Sequence, residues 1–547
     1  MPGTRRRCIQ SRWGFNVSED IPDCLQPAIT VILTQGHMKN LLTFENTPYY
    51  QKMRTILLIL PALAVAMLCC GQSDDQLITF RQNLRQDLPL FNKLVTRLHP
   101  VYNKPGIREQ VSRKLDSLYR LNHPLTIGQV GEIFKHVSTG GLCSDAHSFF
   151  NLEVPGLKVW PYAMRIIGDR MYINQDSVSI PFGAEVTTIN GRSVRHLFDI
   201  LHSPSDRSVP DTAVDLSDIE AAWPALWSEE YGPQATFDVD YKWQNKDGHA
   251  RFDAIPIETY IQNAYPKRVF PSQYWKDKVA SPINYEIQKA DHAAYLCLNT
   301  FNLSPDSLKG YMDWFFGQLR TDNIRMLLID LTHNGGGLMN NVPLLYSYLA
   351  DKPFDFSVTL SADEKGIPFR EYLTSIDYNP VKGHPSREID MAEKSFWAGF
   401  GKTASGKYEE KLFRKPYDPA APDKRYAGTV VVFLSGETHS AACAFSALVK
   451  VNKRAPLFGM RSGGKAHFMD AGILLQYRLP NSGLILSVPA CHLNLDFADN
   501  LPEDRCAALE PDQCVNAAEA LEMFLNRDGA PPAYNKLIKQ IQEMRKN

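Results

Sequence analysis

The sequence has no excess of charge of either sign. Its 547 residues include 59 lysines and arginines and 60 aspartates and glutamates, which leaves a formal net charge of -1. Proteins that bind the nucleic-acid backbone depend on a surplus of positive charge. We therefore expect no nucleic-acid partner. The length exceeds what a single hydrophobic core supports, so we expect two or three domains.

The sequence also lacks an apolar run long enough for an ordinary transmembrane helix. The run from Ile56 to Cys70 has fifteen apolar residues, whereas a helix needs about 20 to cross a bilayer. Basic residues precede this run and polar residues follow it, which is the pattern of a signal peptide. We expect a signal peptide over 53–72, a non-native or removed leader over 1–52, and a mature protein in the periplasm or cell envelope.

Cysteine is scarce, and no Cys or His spacing resembles a zinc site. We expect neither a metal nor another cofactor. In an exported protein a disulfide is possible, and Cys506 and Cys514 would close a short loop. Lipidation of Cys69 or Cys70 is the one feature that would imply membrane association. Four further cysteines lie in apolar surroundings and are typical of buried residues: Cys143, Cys297, Cys443 and Cys491.

The most informative segment joins a buried strand to a helix. The apolar run Val430 to Leu434 predicts a strand, and the amphipathic run Ala441 to Val451 predicts a helix. Ser440 lies between them, beside the unpaired N–H groups and the positive end of the helix dipole. These groups suit an oxyanion, so Ser440 is a candidate nucleophile and Ala441 a candidate oxyanion donor. The alternative is that Ser440 is only the N-cap of the helix.

A second strand, loop and helix precede this one. Met326 to Leu331 is an apolar run that leads into a loop ending in three glycines, and a helix is expected over 338–350. If the two strands are parallel, both loops emerge at the same sheet edge and meet. Gly335 and Gly336 would then complete the oxyanion hole. A phosphate cradle is the alternative, but no Lys-Ser/Thr follows the glycines as in a P-loop.

The pattern of the remaining sequence predicts helices first, then a β-rich module, and then alternating strands and helices. Residues 76–121 carry apolar positions at helical spacing. Short strands follow, including a hairpin with a turn at 245–248. Residues 352–427 have weak periodicity and are interpreted as a long insertion beside the active edge. The last predicted elements are a hairpin around 480–483 and two helices near 516–526 and 532–545.

Taken in order, these motifs resemble the C-terminal processing (tail-specific) serine protease family, in particular its exported bacterial members. The resemblance covers residues 76–547. It implies an α/β fold with a crotonase/ClpP-like peptidase core at 263–547, an N-terminal helical segment at 76–155, and an inserted PDZ-like β-rich module at 156–262. The motifs are Asp145-Ala-His-Ser148, Leu328-Ile-Asp-Leu-Thr-His-Asn-Gly-Gly-Gly337, Thr438-His-Ser-Ala-Ala442, Gly459-Met-Arg-Ser-Gly-Gly-Lys465, Leu479-Pro-Asn-Ser-Gly483 and Glu510-Pro-Asp512.

The resemblance implies a role for each site residue. Ser440 takes the place of the nucleophile and Lys465 that of the general base, and their separation, 465 minus 440 or 25 residues, is usual for the family. Related tricorn-type proteases use a histidine in the place of His147, which makes that residue the alternative base. Two positions depart from the family pattern. Cys443 stands where glutamate is common, and Thr332-His333 stands where arginine and a small polar residue are common.

These features predict an exported serine endopeptidase that hydrolyses polypeptides held by the PDZ-like module, through a Ser/Lys or Ser/His arrangement. The alternative is a catalytically inactive peptide- or ligand-binding protein on the same fold, and Cys443 in place of glutamate is its best argument. A crotonase-type acyl-CoA enzyme is a third reading of the core. Export away from coenzyme A argues against it.

Overall fold

The protein was analysed as a computed structural model. It describes residues 74–103, 106–125, 129, 133, 149–151, 158–176, 178–195, 220, 223–224, 227, 231, 234–256, 259–264, 267, 281–377, 379–381, 387–413, 415–503, 505 and 507–527. All of these belong to one compact unit. None of the helices in these ranges is both long and apolar enough to cross a membrane. The predicted signal peptide and the predicted helix at 532–545 lie outside the described residues.

The described chain begins with the two predicted helices, α1 (Asp74–Leu98) and α2 (Ile107–Tyr119). Their apolar faces pack together through buried residues such as Leu88 and Leu115. The short strand β1 (Phe149–Asn151) comes later in the chain. The helical spacing of apolar residues in this region is therefore confirmed.

A β-rich module follows and has its own hydrophobic core. Its sheet has the order β3-β4-β5-β7-β8 with β6 on β5, and β2 pairs separately with β9. Trp160 and Phe237 are fully buried in its core. The strands are β2 (Lys158–Val159), β3 (Met164–Ile167), β4 (Arg170–Ile173), β5 (Glu185–Ile189), β6 (Arg192–Ser193), β7 (Thr236–Trp243), β8 (Lys246–Asp253) and β9 (Ile255–Pro256).

The predicted hairpin of this module exists, but its turn lies earlier than expected. Gln244 and Asn245 connect β7 to β8, with φ angles of 49° and 61°. Two consecutive positive φ values match the twist of a two-residue hairpin connection. Gly248 instead lies within β8, where a Cβ would come 2.4 Å from the ring of Tyr241. The glycine therefore makes room for an aromatic ring across the strand pair and does not form the turn.

Helices and strands alternate through most of the remaining chain. The elements are β10 (Ile283–Gln288), β11 (Ala293–Leu298), α3 (Pro305–Thr321), β12 (Met326–Asp330), α4 (Asn341–Ser347), β13 (Val358–Ala362), β14 (Leu373–Ile376), β15 (Asn379–Pro380), α5 (Arg387–Phe396), β16 (Gly401–Lys402), β17 (Tyr408–Leu412), β18 (Thr429–Leu434), α6 (Ser440–Val451), β19 (Leu457–Gly459), β20 (Phe468–Arg478), β21 (Ile485–Asn494), β22 (Gln513–Cys514) and α7 (Ala517–Asn526).

The first of two sheets in this part has the order β10-β11-β12-β18-β19-β22, and all its pairs after β10-β11 are parallel. Every residue of β12 is buried, which explains its unbroken apolar run. Asp330 at the end of β12 is level with Phe433 near the end of β18. The loops after these two strands therefore emerge at the same edge, as predicted.

The second sheet is antiparallel and has the order β15-β14-β20-β21-β13-β17-β16, with β1 added to β21. Five of its strands, β13 to β17, come from residues 352–427, which the sequence marked only as an insertion. Two of these strands, β15 and β16, have two residues each. Strands of two residues are too short to show a two-residue period in the sequence.

Local hydrogen bonds account for where two helices begin. Ser304 accepts a hydrogen bond from the N–H of Ser307 and caps α3, as its position before Pro305 predicts. α4 is shorter than the predicted helix over 338–350. The residues before it are held by other contacts, since Leu338 donates its N–H to the carbonyl of Phe301.

Candidate active site

Three hydrogen bonds join the glycine loop after β12 to the loop that precedes Ser440. The N–H of His439 donates to the carbonyl of Asn334 at 3.0 Å. The hydroxyl of Thr438 donates to the carbonyl of Leu331 at 2.9 Å, and that of Ser435 to the carbonyl of Thr332 at 2.5 Å. The predicted meeting of the two loops is therefore confirmed.

Ser440 is the first residue of α6 and has an unusual backbone conformation. Its φ is 50°, in the left-handed region, whereas His439 before it is extended and occupies the N-cap position. A residue with a Cβ loses about 1–2 kcal/mol in this conformation. The Ser440 hydroxyl does not cap the helix. It points to Met469, with Oγ 3.7 Å from Sδ. The N-cap alternative is therefore wrong.

Gly336 lies directly against Ser440. A Cβ on Gly336 would come 2.5 Å from the Cβ of Ser440 and 3.0 Å from the backbone nitrogen of Ala441, and the φ of Gly336 is 104°. Both the close approach and the backbone angle require glycine at this position. The structure thus brings together two of the predicted oxyanion residues, Gly336 and Ala441, beside the candidate nucleophile.

The N–H groups of the predicted oxyanion hole differ in their hydrogen bonding. The N–H of Gly336 donates to Oδ1 of Asn334 at 2.9 Å. No described residue accepts a hydrogen bond from the N–H of Ala441, which lies in the first turn of α6. The N–H of Gly335 likewise has no hydrogen-bond acceptor within the described part of the chain. Of the three predicted oxyanion donors, the N–H groups of Ala441 and Gly335 therefore remain open, and that of Gly336 is already bonded to Asn334.

The sequence did not predict the role of Asn334 in the glycine loop. Its side chain is fully buried, donates from Nδ2 to the carbonyl of Leu298 at 2.8 Å, and accepts from Gly336. It therefore ties the glycine loop to the end of β11 and, through its carbonyl, to His439. Its position directly before three glycines could have indicated this role, because the side chain of asparagine commonly forms a hydrogen bond with the backbone two residues later.

The loop before Lys465 also packs against Ser440 and the loop before it. The N–H groups of Gly463 and Gly464 both donate to the carbonyl of Thr438, at 3.1 and 3.2 Å. A Cβ on Gly464 would come 3.4 Å from the backbone nitrogen of Ser440. Lys465 follows, half-buried, and its backbone pairs with Ala508. Gly464, the residue before Lys465, therefore lies against the backbone of Ser440, although Lys465 follows Ser440 by 25 residues in the chain.

His147, the alternative base, lies outside the described residues. Strand β1 begins two residues later and pairs with β21, with Phe149 opposite Ser487 and Asn151 opposite Ile485. β21 also pairs with β20, the strand that carries Met469. The chain that follows His147 therefore joins the sheet that contacts Ser440.

The two residues that depart from the family pattern in the glycine loop have defined contacts. Thr332 donates from its N–H and its hydroxyl to Oδ1 of Asp330, at 2.8 and 2.6 Å. His333 lies with Nδ1 2.9 Å from Oε2 of Glu437, and both side chains are largely buried. His333 and Glu437 therefore add a side-chain hydrogen bond between the glycine loop and the loop before Ser440.

The described residues also bear on the expectations about cysteines and metals. Cys514 is exposed and free, so it does not form the expected disulfide in this structure, and its expected partner Cys506 lies outside the described residues. Cys297, Cys443 and Cys491 are buried, as predicted. Within the described ranges, no group of three or more His, Cys, Asp or Glu side chains is arranged to hold a metal ion.

A serine at the start of a helix, next to open backbone N–H groups, is suited to nucleophilic attack on a carbonyl. Residues 292–495 match the model of peptidase family S41. The matched residues belong to this family, and the protein is a serine-type peptidase. The predicted relationship to C-terminal processing proteases is therefore confirmed. No curated protein matches the sequence.

Solved structures of CPAF have a similar fold. Mature CPAF complexed with lactacystin is 14% identical, over 85% of this chain and 98% of that chain, with a TM-score of 0.52. A CPAF mutant is 15% identical, over 82% and 99%, with a TM-score of 0.54. The photosystem II D1 C-terminal processing protease matches with 14% identity, over 79% and 93%, at a TM-score of 0.34. At these identities the CPAF similarity shows the α/β fold alone.

Proposed function

We propose that this peptidase is an exported endopeptidase that cleaves polypeptides with Ser440 as its nucleophile. The observation that carries the proposal is the backbone of Ser440, which has a φ of 50° and is enclosed by Gly336 and Gly464. Oγ would attack the scissile carbonyl as the base takes its proton. The C–N bond would then break, the amine would leave with that proton, and water would hydrolyse the acyl-enzyme. The N–H groups of Ala441 and Gly335 would bind the oxyanion.

Lys465 is the general base in this proposal. The packing of Gly463 and Gly464 on the nucleophile loop supports it, because the backbone next to Lys465 lies against Ser440. A lysine acts as a base near neutral pH only when burial or nearby positive charge lowers its pKa from about 10.4. The half-buried position of Lys465 favours such a change. His147 is the alternative, because its ordinary pKa of about 6.5 needs no such change.

The β-rich module, residues 156–262, is proposed to be PDZ-like and to present the polypeptide to Ser440. The core at 263–547 is proposed to be of the crotonase/ClpP type. Export to the periplasm or cell envelope rests on the signal-peptide pattern at 53–72. N-terminal sequencing of the exported protein tests this part, and a mature chain that begins before Met53 would contradict it.

A fluorophosphonate probe tests the nucleophile directly. We expect covalent labelling of Ser440 in the wild type and none in Ser440→Ala, with loss of peptide hydrolysis in that variant. Lys465→Ala and His147→Ala, assayed for hydrolysis and labelling, separate the two bases. If Lys465→Ala keeps near-normal turnover while His147→Ala is inactive, His147 is the base. Failure of the wild type to label or to cleave unfolded peptides would favour a catalytically inactive binding protein.

A further inference from the structure

The helix that carries Ser440 also holds the loop that carries Lys465. Cys443 lies one helical turn after Ser440 and is fully buried. Its thiol donates to the main-chain carbonyl of Lys465 at 3.2 Å, and its Sγ lies 3.5 Å from Oγ of Ser462. The hydroxyl of Ser462 donates to the carbonyl of Gly464 at 2.8 Å. Cys443 and Ser462 therefore bind neighbouring carbonyl groups of the same loop.

This loop depends on such contacts for its position. Gly463 and Gly464 have the largest backbone freedom of any residue type, so their own sequence does not determine where Lys465 lies. A Cβ on Gly464 would come 3.1 Å from the Cβ of Cys443. The N–H of Leu509 donates to Oγ of Ser462 at 2.9 Å on the other side of the loop. The loop is therefore held between α6 and residues 507–509.

We propose that Cys443 is a positioning residue, whose thiol holds the backbone of Lys465 at the distance from Ser440 that proton transfer requires. This inference rests on the proposed function, because Lys465 must be the base for its position to affect the rate. The thiol suits the task in two ways. It is small enough for the contact with Gly464, and as a neutral group it adds no negative charge that would keep Lys465 protonated.

Three variants test the proposal. Cys443→Ala removes the donor, and Cys443→Ser restores one with a hydroxyl of similar size. Cys491→Ala is the matched control, since Cys491 is also fully buried but lies in β21. We expect Cys443→Ala to lower kcat about 10- to 100-fold with KM nearly unchanged, because small displacements of a catalytic group are costly. Cys443→Ser should recover most of kcat, and Cys491→Ala should keep it.

A second measurement, amide hydrogen exchange, distinguishes a displaced Lys465 loop from a general loss of stability and from a failure of the proposed function. Hydrogen exchange of the Gly463 and Gly464 amides should accelerate in Cys443→Ala and not in Cys491→Ala, whether or not peptides are cleaved. If the wild type fails to label at Ser440, the proposed function fails, while the exchange result still reports on the loop. The inference is overturned if Cys443→Ala keeps the kcat of Cys491→Ala, or if Cys443→Ser is as impaired as Cys443→Ala.

Discussion

At the scale of single residues, the site depends on one position that has no room for a Cβ and on another whose backbone angle is unfavourable for a residue with a Cβ. Gly336 has no room for a side chain because Ser440 occupies that space. Ser440 itself keeps a Cβ at a φ of 50°, which only glycine adopts without cost. The serine is retained there despite its backbone strain, which is consistent with a chemical use of the hydroxyl.

The strain at Ser440 leads to a stability prediction. Ser440→Gly should be more stable than Ser440→Ala by about 1 kcal/mol, because glycine relieves the left-handed strain that alanine keeps. Both variants lack the hydroxyl, so both should be inactive. Urea unfolding of the two proteins measures the difference. Equal stability would show that the left-handed φ of Ser440 is not strained in solution.

The contact of Gly336 leads to an activity prediction. Gly336→Ala should lower kcat/KM at least about 100-fold, because its Cβ must displace Ser440 or Ala441. Gly317→Ala is the control, since a Cβ in the middle of α3 would meet no atom within 4 Å. That change should keep activity and raise the free energy of unfolding by up to about 1 kcal/mol. Normal turnover by Gly336→Ala would contradict the site geometry.

At the scale of elements, aspartates on helices accept hydrogen bonds from neighbouring segments. Asp87 of α1 is buried and accepts hydrogen bonds from the backbone and side chains of Asn481 and Ser482, which connect β20 to β21. Asp313 of α3 similarly accepts from Lys309, Lys424 and Tyr348. Apart from Lys309, the partners of these two aspartates lie far from them in the chain.

Asp313 gives a pH-dependent prediction. Burial acts to raise the pKa of this carboxyl, but the hydrogen bonds from Lys309, Lys424 and Tyr348 outweigh it and lower the pKa to about 2. The unfolded chain has an aspartate pKa of about 3.9. The folded value is depressed, so this stabilisation is complete above about pH 4 and is lost as pH falls toward 2.

Asp313→Asn tests that assignment. The variant should be less stable than the wild type at pH 7 by about 1–2 kcal/mol, after allowance for partial solvent screening. The difference should shrink as pH falls from about 4 to about 2, where the wild-type carboxylate becomes protonated. Denaturant unfolding at several pH values measures it. A difference that stays constant down to the lowest pH would contradict the depressed pKa.

At the scale of the whole molecule, α7 joins the β-rich module to the core. Phe524 packs on Phe182 and Tyr172 of the module, with ring centroids 4.9 and 6.1 Å apart. Arg527 donates to both carboxylate oxygens of Asp176, at 3.0 and 2.6 Å. Just before α7, Val515 donates its N–H to the carbonyl of Gly459 in β19. A single C-terminal segment therefore contacts both parts.

Phe524→Ala should loosen the module from the core. The change removes a buried aromatic side chain, and such truncations cost about 3–5 kcal/mol in well-packed sites. We expect faster limited proteolysis within residues 156–262 and a larger radius of gyration in small-angle scattering. Met391→Ala, at an exposed position on α5, is the control and should change neither. Unchanged proteolysis in Phe524→Ala would show that α7 does not hold the module.

The sequence by itself determined those features that depend on neighbours along the chain. Apolar runs marked β12 and β18, and helical spacing marked α1, α2 and α6, because burial repeats with the period of each element. The parallel-sheet rule then predicted that the loops of Gly336 and Ser440 meet. Lys465 was assigned from a family resemblance and stays a prediction, and Gly464 before it lies against the backbone of Ser440.

Only the tertiary structure decided the contacts between residues distant in sequence. No local pattern predicts that Asn334 links the two loops or that Met469 contacts the Ser440 hydroxyl. Nor does one predict that the thiol of Cys443 donates to the carbonyl of Lys465. The short strands of residues 352–427 also form a sheet with β20 and β21, which come after them in the chain. Such contacts exist only once the chain has folded, because loop closure brings the partners together and local periodicity does not encode which partners meet.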